Sequence, residues 1–308
     1  MRHRPTQLIL LLIACAPTQA QAPQAAGIPE GEQLRIGGST LTIEGNPPVP
    51  AARRRAWVRR SAEIVTEYYE GRFPVPRLRV ETPSRGSRIG WGFHRGGRVV
   101  RVGVGSSATR RDFERDWVLL HEMLHTGFPS LDRRFRWMRE GLSTYLETAL
   151  RRRAGILDED EVWSRWLERM PEGMQGDQLG PLDRRRSWGA TYWGGALWWL
   201  LVDVELRRRT NNRKSVRDVI LGAIRRGGDA RRVWPMARLI SVSDVSTGTS
   251  AFSDLYARYA SGEGELDLEG LWNRLGVSQR DDEIVFDDRA PLASVRRALY
   301  APVEVEIS

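Results

Sequence analysis

Cysteine is almost absent from this sequence, because Cys15 is the single cysteine in 308 residues. A domain without further thiols needs no disulfide and risks no mispairing in an oxidising compartment. Lysine is equally scarce, since Lys214 is the only lysine among 48 basic residues. So uniform a preference for arginine is more typical of codon bias than of a nucleic-acid-binding surface. The composition therefore excludes a disulfide-rich scaffold and gives no support to nucleic-acid binding.

Long apolar runs are also missing beyond the N-terminus. Residues 1–22 are typical of an export signal, because Arg2 and Arg4 precede the short apolar run Leu8–Ala14. No later run approaches the roughly 18 apolar residues that a membrane-spanning helix needs. We therefore expect an exported protein whose contact with a membrane is limited to an N-terminal anchor.

Cys15 lies where a bacterial lipoprotein carries its lipid. The run Leu12-Ile13-Ala14-Cys15 resembles a lipobox, which implies lipid attachment at Cys15 and a place on the periplasmic face of a bacterial cell envelope. The alternative is cleavage after Ala20-Gln21-Ala22 and simple secretion. Residues 23–32 then form a linker rich in Ala, Pro and Gln, and residues 33–308 form the functional unit.

The formal net charge of +9 comes from arginines that lie in short, scattered clusters. These clusters are Arg53–Arg55, Arg151–Arg153, Arg184–Arg186 and Arg207–Arg209. Clusters of this kind at helix ends are typical of a solvated face. An anionic partner such as envelope lipid or polymer stays open, whereas a nucleic-acid binder would need one clustered basic face.

Strand patterns dominate before residue 105 and helical patterns dominate after it. Hairpins are predicted around Gly37-Gly38 and around His94–Gly97, with a strand at Leu78–Glu81. Helices are predicted over 51–70, 109–127, 135–153, 159–170, 191–209, 216–225, 252–260 and 268–275, and further strands over 283–286 and 303–307. The predicted fold class is α+β, with a lobe over 33–127 that contains a small mixed or antiparallel sheet and a mainly helical lobe over 128–308.

Histidine is scarce, and two of the four histidines lie in the run His121-Glu122-Met123-Leu124-His125. Residues i and i+4 share one helix face, so both imidazoles can reach one Zn²⁺ ion. Glu122 would lie beside the ion and not among its ligands, where it can take a proton from water. The alternative is a helix whose two histidines merely pack or face solvent.

The downstream run Arg136–Glu147 resembles the W-x-x-E-G-x-x-x-Y-x-E stretch of gluzincin metallopeptidases, in particular the aminopeptidase N and glycyl aminopeptidase families. This resemblance implies a zincin-like (thermolysin-like) catalytic domain in which Glu140 is the third zinc ligand. It also implies that Glu147 accepts a hydrogen bond from a ligand imidazole. The alternative for Glu147, taken alone, is a surface glutamate.

A third run, Thr191–Arg207, resembles the Y-x-K-G helix of the glycyl aminopeptidase family. The resemblance implies that Tyr192 donates its hydroxyl to the oxyanion of a tetrahedral intermediate. The alternative is a core tyrosine in an aromatic helix. The usual lysine is replaced by Gly194, and too little chain follows Gly276 for us to expect the family's C-terminal PDZ module.

The strand before the metal motif departs from these families. Their aminopeptidases carry a glutamate there that holds the free amine of the substrate, but this sequence has no Asp or Glu from Pro83 to Arg111. Cleavage at an N-terminus and cleavage within a chain therefore both stay open. His94 either contacts substrate from this strand or is an exposed histidine at a hairpin tip.

These patterns together predict a zinc-dependent metallopeptidase that hydrolyses peptide bonds of a peptide or protein substrate with a metal-activated water. In this prediction His121 and His125 hold Zn²⁺ and Glu122 is the base, and the resemblance adds Glu140 as the third ligand and Tyr192 as the oxyanion donor. The alternative is a catalytically inactive envelope protein that keeps the fold and binds peptide or polymer. The intact Glu122 argues against that alternative, while the oligomeric state stays open.

Overall fold

The computed structural model describes residues 31–174, 182–184, 186–261 and 266–301. These residues belong to one compact unit that begins at Gly31. The predicted leader with Cys15, all but two residues of the predicted linker, and the predicted strand 303–307 lie outside the described residues. Among the helices that are described, none is long and apolar enough to cross a bilayer.

Strands with alternating apolar residues form a five-stranded mixed sheet. Strands β1 (Glu32–Ile36) and β2 (Ser39–Glu44) pair antiparallel through a turn at Gly37-Gly38, where both glycines have positive φ. Strand β3 (Arg77–Glu81) runs parallel to β2, and β5 (Val99–Gly103) runs parallel to β3. Strand β4 (Trp91–Arg95) pairs antiparallel with β5 and forms one edge, so the order is β1-β2-β3-β5-β4.

One long helix packs against strand β1 of the sheet. Helix α1 (Ala51–Tyr68) buries an apolar stripe that includes Trp57, Val58 and Val65.

The segment after strand β5 was predicted as one helix over 109–127, and that prediction is wrong. The chain forms α2 (Arg110–Glu114), breaks, and then forms α3 (Val118–Leu124) followed by a 3₁₀ turn over His125–Gly127.

The break between α2 and α3 has a local cause. Thr109 and Asp112 form the predicted capping box of α2. Asp116 then caps the next helix, because its two carboxylate oxygens accept hydrogen bonds from the backbone N–H groups of Val118 (3.0 Å) and Leu119 (2.9 Å). A side chain that satisfies free N–H groups starts a new helix there.

The second part of the chain is mainly helical, as predicted. It contains α4 (Arg136–Arg153), α5 (Glu159–Arg169), a π-helical turn over Ala190–Gly194, α6 (Gly195–Thr210), α7 (Val216–Arg225), α8 (Met236–Thr247), α9 (Ala251–Leu255), a second π-helical turn over Tyr256–Ala260, α10 (Leu268–Leu275), the hairpin β6 (Val277–Arg280) and β7 (Glu283–Phe286), and α11 (Ala293–Ala298). Helices α8 and α11 are additional to those predicted. The predicted α+β class, a small mixed sheet followed by a helical lobe, is confirmed.

Helices α4 and α6 touch through their backbones. A Cβ atom added to Gly195 would lie 2.2 Å from the carbonyl oxygen of Trp137, and one added to Gly141 would lie 2.3 Å from the carbonyl carbon of Gly195. The two glycines therefore permit a closer approach than side chains would allow. This contact fixes the start of α4, which carries Glu140, against the turn that carries Tyr192.

Candidate metal centre

His121 and His125 lie on the same face of one helical segment. His121 belongs to α3, and His125 begins the 3₁₀ turn that continues it, with its backbone N–H bonded to the carbonyl oxygen of His121. The i, i+4 spacing is thus preserved across the change of helix type. Both imidazoles are buried.

Glu140 approaches these two imidazoles from the N-terminal part of α4, where it is the fifth residue of the helix. Its Oε2 atom lies 3.4 Å from Nε2 of His121 and 3.2 Å from Nε2 of His125. Fourteen residues separate His125 from Glu140, and this segment is anchored at Ser130. The backbone N–H of Ser130 donates to the carbonyl oxygen of Arg232, and its carbonyl oxygen accepts from the backbone N–H of Trp234. One donor atom from each of the three side chains lies within 4.8 Å of the others.

These three residues fit a zinc ion in chemistry as well as position. Nε2 of His125 is buried, and apart from its approach to Oε2 of Glu140 it has no hydrogen-bond partner among the described residues. A buried nitrogen without a partner is costly unless a cation takes its lone pair. Nδ1 of His125 lies 3.1 Å from the hydroxyl of Ser143, which can accept its hydrogen and leave the lone pair on Nε2.

The charges of the three candidate ligands also suit a cation. Burial, with the neighbouring His94, lowers the pKa of His125 to about 3, so this imidazole is neutral at pH 7. Burial alone would raise the pKa of Glu140, but the imidazoles of His125 and His121 hold it well below its ordinary value. Burial alone would lower the pKa of His121, but its hydrogen bond with Glu140 raises it, so a cation would displace a proton from this imidazole. With that proton gone, the site offers two imidazole nitrogens and an ionised carboxylate, a ligand set that Zn²⁺ accepts.

Glu122 lies beside this cluster and is not one of the three. Its side chain is buried between α3 and β4, and burial raises its pKa above the ordinary value. A Cβ atom added to Gly92 would lie 3.0 Å from Cγ of Glu122 and 2.7 Å from Val118. The glycine in the edge strand therefore leaves the space that Glu122 occupies.

His94 belongs to the site, so the expectation of an exposed hairpin-tip histidine is wrong. It lies within β4 opposite Val100, its side chain is 12% exposed, and its ring centroid is 4.1 Å from that of His125. Nε2 of His94 accepts a hydrogen bond from Nη2 of Arg139. Nδ1 therefore carries the ring hydrogen, and it donates to Oε2 of Glu122 at 3.2 Å.

Tyr192 is placed at the cluster by the π-helical turn before α6. Its ring centroid lies 6.1 Å from that of His121, and Trp188 stacks on it at 5.3 Å. Its hydroxyl accepts a hydrogen bond from Nη2 of Arg136 at 3.2 Å. Burial and the charge of Glu140 raise the pKa of Tyr192, so the hydroxyl keeps its hydrogen and can donate it.

Glu147 has other partners than the ones expected. Its carboxylate accepts hydrogen bonds from the hydroxyl of Thr148 (2.9 Å) and from Nη1 of Arg151 (3.2 Å), and it is buried. Nδ1 of His121 has no hydrogen-bond partner in the described part of the chain. The hydrogen bond from a ligand imidazole to Glu147 therefore stays a prediction, and the structure gives this residue a buried ion pair.

No protein-family model matches the chain, and no curated protein matches its sequence. Solved structures do match. An aminopeptidase N family protein from Idiomarina loihiensis is 16% identical with a TM-score of 0.59, covering 80% of this chain and 49% of that one. An M1 zinc metallopeptidase from Deinococcus radiodurans is 18% identical with a TM-score of 0.52, covering 78% and 52% respectively.

A further structure of the Deinococcus radiodurans enzyme, a mutant bound to a Tyr-Ser-Ala substrate, is 15% identical with a TM-score of 0.53, covering 78% of this chain and 52% of that one. The chain thus shares its fold with M1 metallopeptidases of the aminopeptidase N family, and it spans about half the length of the solved structures that it matches. The resemblance noted in the sequence is confirmed at the level of fold.

Proposed function

We propose that this chain is a zinc metallopeptidase that hydrolyses peptide bonds. The observation that carries the proposal is the convergence of His121, His125 and Glu140 on one point, with Glu122 beside them. A zinc ion held by these three residues would act as a Lewis acid that acidifies a water and polarises a carbonyl group. The fold shared with zinc metallopeptidases supports this choice of metal and reaction.

Glu122 acts as the base in this proposal. Its raised pKa suits a carboxylate that accepts a proton from the attacking water and then returns it to the leaving amine. The hydrogen bond from Nδ1 of His94 holds one of its oxygens, Oε2, and leaves the other, Oε1, for the water. Glu122 can therefore serve both proton transfers without moving away from the scissile bond.

Tyr192 acts as the donor to the oxyanion. Its hydroxyl hydrogen is not used in the bond with Arg136, in which the tyrosine oxygen is the acceptor. It can therefore be donated to an oxygen that gains charge in the transition state. The ring packing against His121 and Trp188 holds the hydroxyl in position.

The experiment compares zinc content and hydrolysis of a peptide library by the full chain. We expect one zinc per chain and its loss in His121→Ala, together with a fall in kcat of about 100- to 10,000-fold in Glu122→Gln, the range for a lost general base. Glu114→Gln, at an exposed glutamate of α2, is the charge-matched control and should keep full activity.

Two outcomes would decide against parts of this proposal. A protein that binds no zinc at micromolar supply would contradict the metal centre. A protein that binds zinc and peptide but cleaves nothing would be the non-catalytic binding protein of the alternative interpretation. Comparing N-acetylated with free peptides then distinguishes cleavage within a chain from cleavage at its N-terminus.

Export and lipid attachment at Cys15 are proposed from the sequence alone, and radiolabelled-lipid incorporation tests them.

A further inference from the structure

Arg139 places a guanidinium group beside His94, within electrostatic reach of Glu140 and Glu122. It lies one residue before Glu140 in α4 and is partly buried. Among the described residues it makes no salt bridge, and its one hydrogen-bond partner there is Nε2 of His94. A guanidinium group has five N–H donors in a planar fork that matches a carboxylate. The remaining donors of Arg139 are therefore available to a ligand.

A second guanidinium group flanks the metal cluster from the outer side. Nε of Arg136 lies 3.3 Å from Oε1 of Glu140, and its Nη2 contacts the hydroxyl of Tyr192. The side chain of Arg136 is 61% exposed, so this group lies at the mouth of the site. Arg136 and Arg139 thus stand one turn apart on α4.

The charges at the site do not balance once a divalent cation is bound. Glu122 and Glu140 contribute two negative charges, and Arg136 and Arg139 contribute two positive charges, so the side chains alone sum to zero. Zn²⁺ then leaves an excess of two positive charges. The strand β4 brings no compensating carboxylate, because the sequence has no Asp or Glu from Pro83 to Arg111. Such a site attracts an anion and repels the ammonium group of a free N-terminus.

We propose that Arg139, with Arg136 beside it, binds a carboxylate of the peptide substrate next to the scissile bond. This proposal rests on the proposed peptidase function and adds its substrate class. The carboxylate is either the C-terminus of a short peptide or the side chain of an acidic residue. Arg139 is in this view a specificity-determining residue, and its fork receives two carboxylate oxygens while His94 holds the guanidinium in place.

The test uses three peptides of one core sequence: an amide with no acidic residue, the same peptide with a free C-terminus, and the amide with a glutamate beside the cleavage point. Binding is measured by calorimetry on the zinc-loaded Glu122→Gln protein, and kcat/KM is measured on the active protein. Each is repeated with Arg139→Gln, with His94→Gln, and with Arg95→Gln, which removes the same charge from an exposed position beside His94.

We expect at least one carboxylate peptide to bind better than the neutral amide. Arg139→Gln should weaken its binding by about tenfold to a hundredfold, the range for a lost hydrogen bond to a charged group, and leave the binding affinity for the neutral amide unchanged. Arg95→Gln should have no effect. The peptide that responds identifies the source of the carboxylate.

Equal losses on all three peptides, reproduced by His94→Gln, would overturn the proposal, because Arg139 would then act only through His94. The same binding of all peptides by the unsubstituted site would also overturn it. Binding that discriminates carboxylates in a protein that cleaves no peptide would leave this inference standing and contradict the proposed hydrolysis instead. The two proposals therefore fail separately.

Discussion

His94 connects two charged groups at the residue scale. It accepts a hydrogen bond from Arg139 and donates one to Glu122, so the arginine fixes which ring nitrogen carries the hydrogen. An arginine always donates, and this removes the ambiguity that a histidine tautomer usually has. The consequence is a neutral imidazole that can hold Glu122, the proposed base, in one orientation. Burial and Arg139 also lower the pKa of His94 to about 3, which keeps it neutral.

The first prediction concerns His94 as a positioning residue. His94→Ala should lower kcat by about tenfold to a hundredfold, because a hydrogen bond to the charged base is lost, while zinc content is unchanged. His94→Asn should restore part of the rate, since its amide can donate from near the position of Nδ1. Steady-state kinetics and metal analysis measure these effects. A rise in KM with unchanged kcat would instead indicate that His94 binds substrate.

Sequence and structure differ at this scale for a physical reason. His121, Glu122 and His125 could be predicted because one helix turn contains their whole geometry. His94 lies 28 residues from Glu122 and 45 from Arg139. The three meet only because β4 pairs with β5 in register, α3 packs against both strands, and α4 packs against α3. No local pattern reports such a register, so His94 and Arg139 stayed undetected as partners.

Asp116 shows the same limit at the scale of the helices. Thr109 and Gly127 are correct start and stop signals, and they predict one helix between them. The carboxylate of Asp116 interrupts it by capping α3, and it also accepts a hydrogen bond from Nε1 of Trp57 at 3.0 Å. This tertiary contact with α1 decides where α3 begins, and α3 positions both candidate histidine ligands.

The second prediction is a dependence of stability on pH that comes from Asp116. Burial raises the pKa of Asp116 from 3.8 to about 6 in the folded chain, so folding favours its protonated form. Its contribution to the free energy of unfolding is complete below about pH 4 and is lost as pH rises through about 6, amounting to about 2–3 kcal/mol. Asp116→Asn cannot titrate at this position.

The difference in unfolding free energy between the natural chain and Asp116→Asn, measured by urea denaturation, should therefore fall between about pH 4 and pH 6 and stay level above. A constant offset from altered hydrogen bonds does not change this shape. A difference that increases with pH would show that the native environment favours the charged carboxylate.

The third prediction concerns the contact between α4 and α6. Gly195→Ala would place a methyl group 2.2 Å from the carbonyl oxygen of Trp137, so the helices must separate. We expect the free energy of unfolding to fall by about 1–3 kcal/mol, the usual cost of overpacking. Zinc affinity should fall as well, because Glu140 moves with α4. Denaturant midpoints and zinc titration measure both effects.

Gly90→Ala is the matched control for this substitution, since no heavy atom lies within 4 Å of its added Cβ. It should leave both stability and zinc affinity unchanged. A Gly195→Ala chain that is as stable as the control would show that α4 and α6 can move apart without strain.

Helix α6 itself was predictable as a core helix, because Trp198 and Trp199 lie in an uninterrupted apolar run. Both side chains are buried in the structure.

At the scale of the whole molecule, the candidate metal centre lies between the sheet-containing part of the chain and the helical part. His121 and His125 come from α3, which packs against β4 and β5, whereas Glu140 comes from α4, which packs against α6. The division into a sheet-containing part and a helical part could be predicted from the order of patterns. The parallel pairing of β2 with β3 and of β3 with β5 could not, because the paired strands are distant in sequence.

Because the candidate ligands come from both parts, we expect metal binding and folding to be coupled, and this is the fourth prediction. A ligand that binds only the folded chain stabilises it by about 2.7 kcal/mol when present at 100 times its Kd. We expect such a zinc excess to raise Tm by roughly 5 °C or more for a chain of this size, and EDTA to reverse the shift. Differential scanning calorimetry measures it.

His121→Ala supplies the control for this prediction, because it removes one ligand and leaves the other histidines in place. Its Tm should be insensitive to zinc, and Glu140→Gln should behave in the same way although it changes the opposite helix. A zinc-dependent shift that survives in both variants would mean that the ion binds elsewhere in the chain. A shift lost in His121→Ala but kept in Glu140→Gln would mean that α3 alone binds the ion, and that the approach of α4 reflects packing and not ligation.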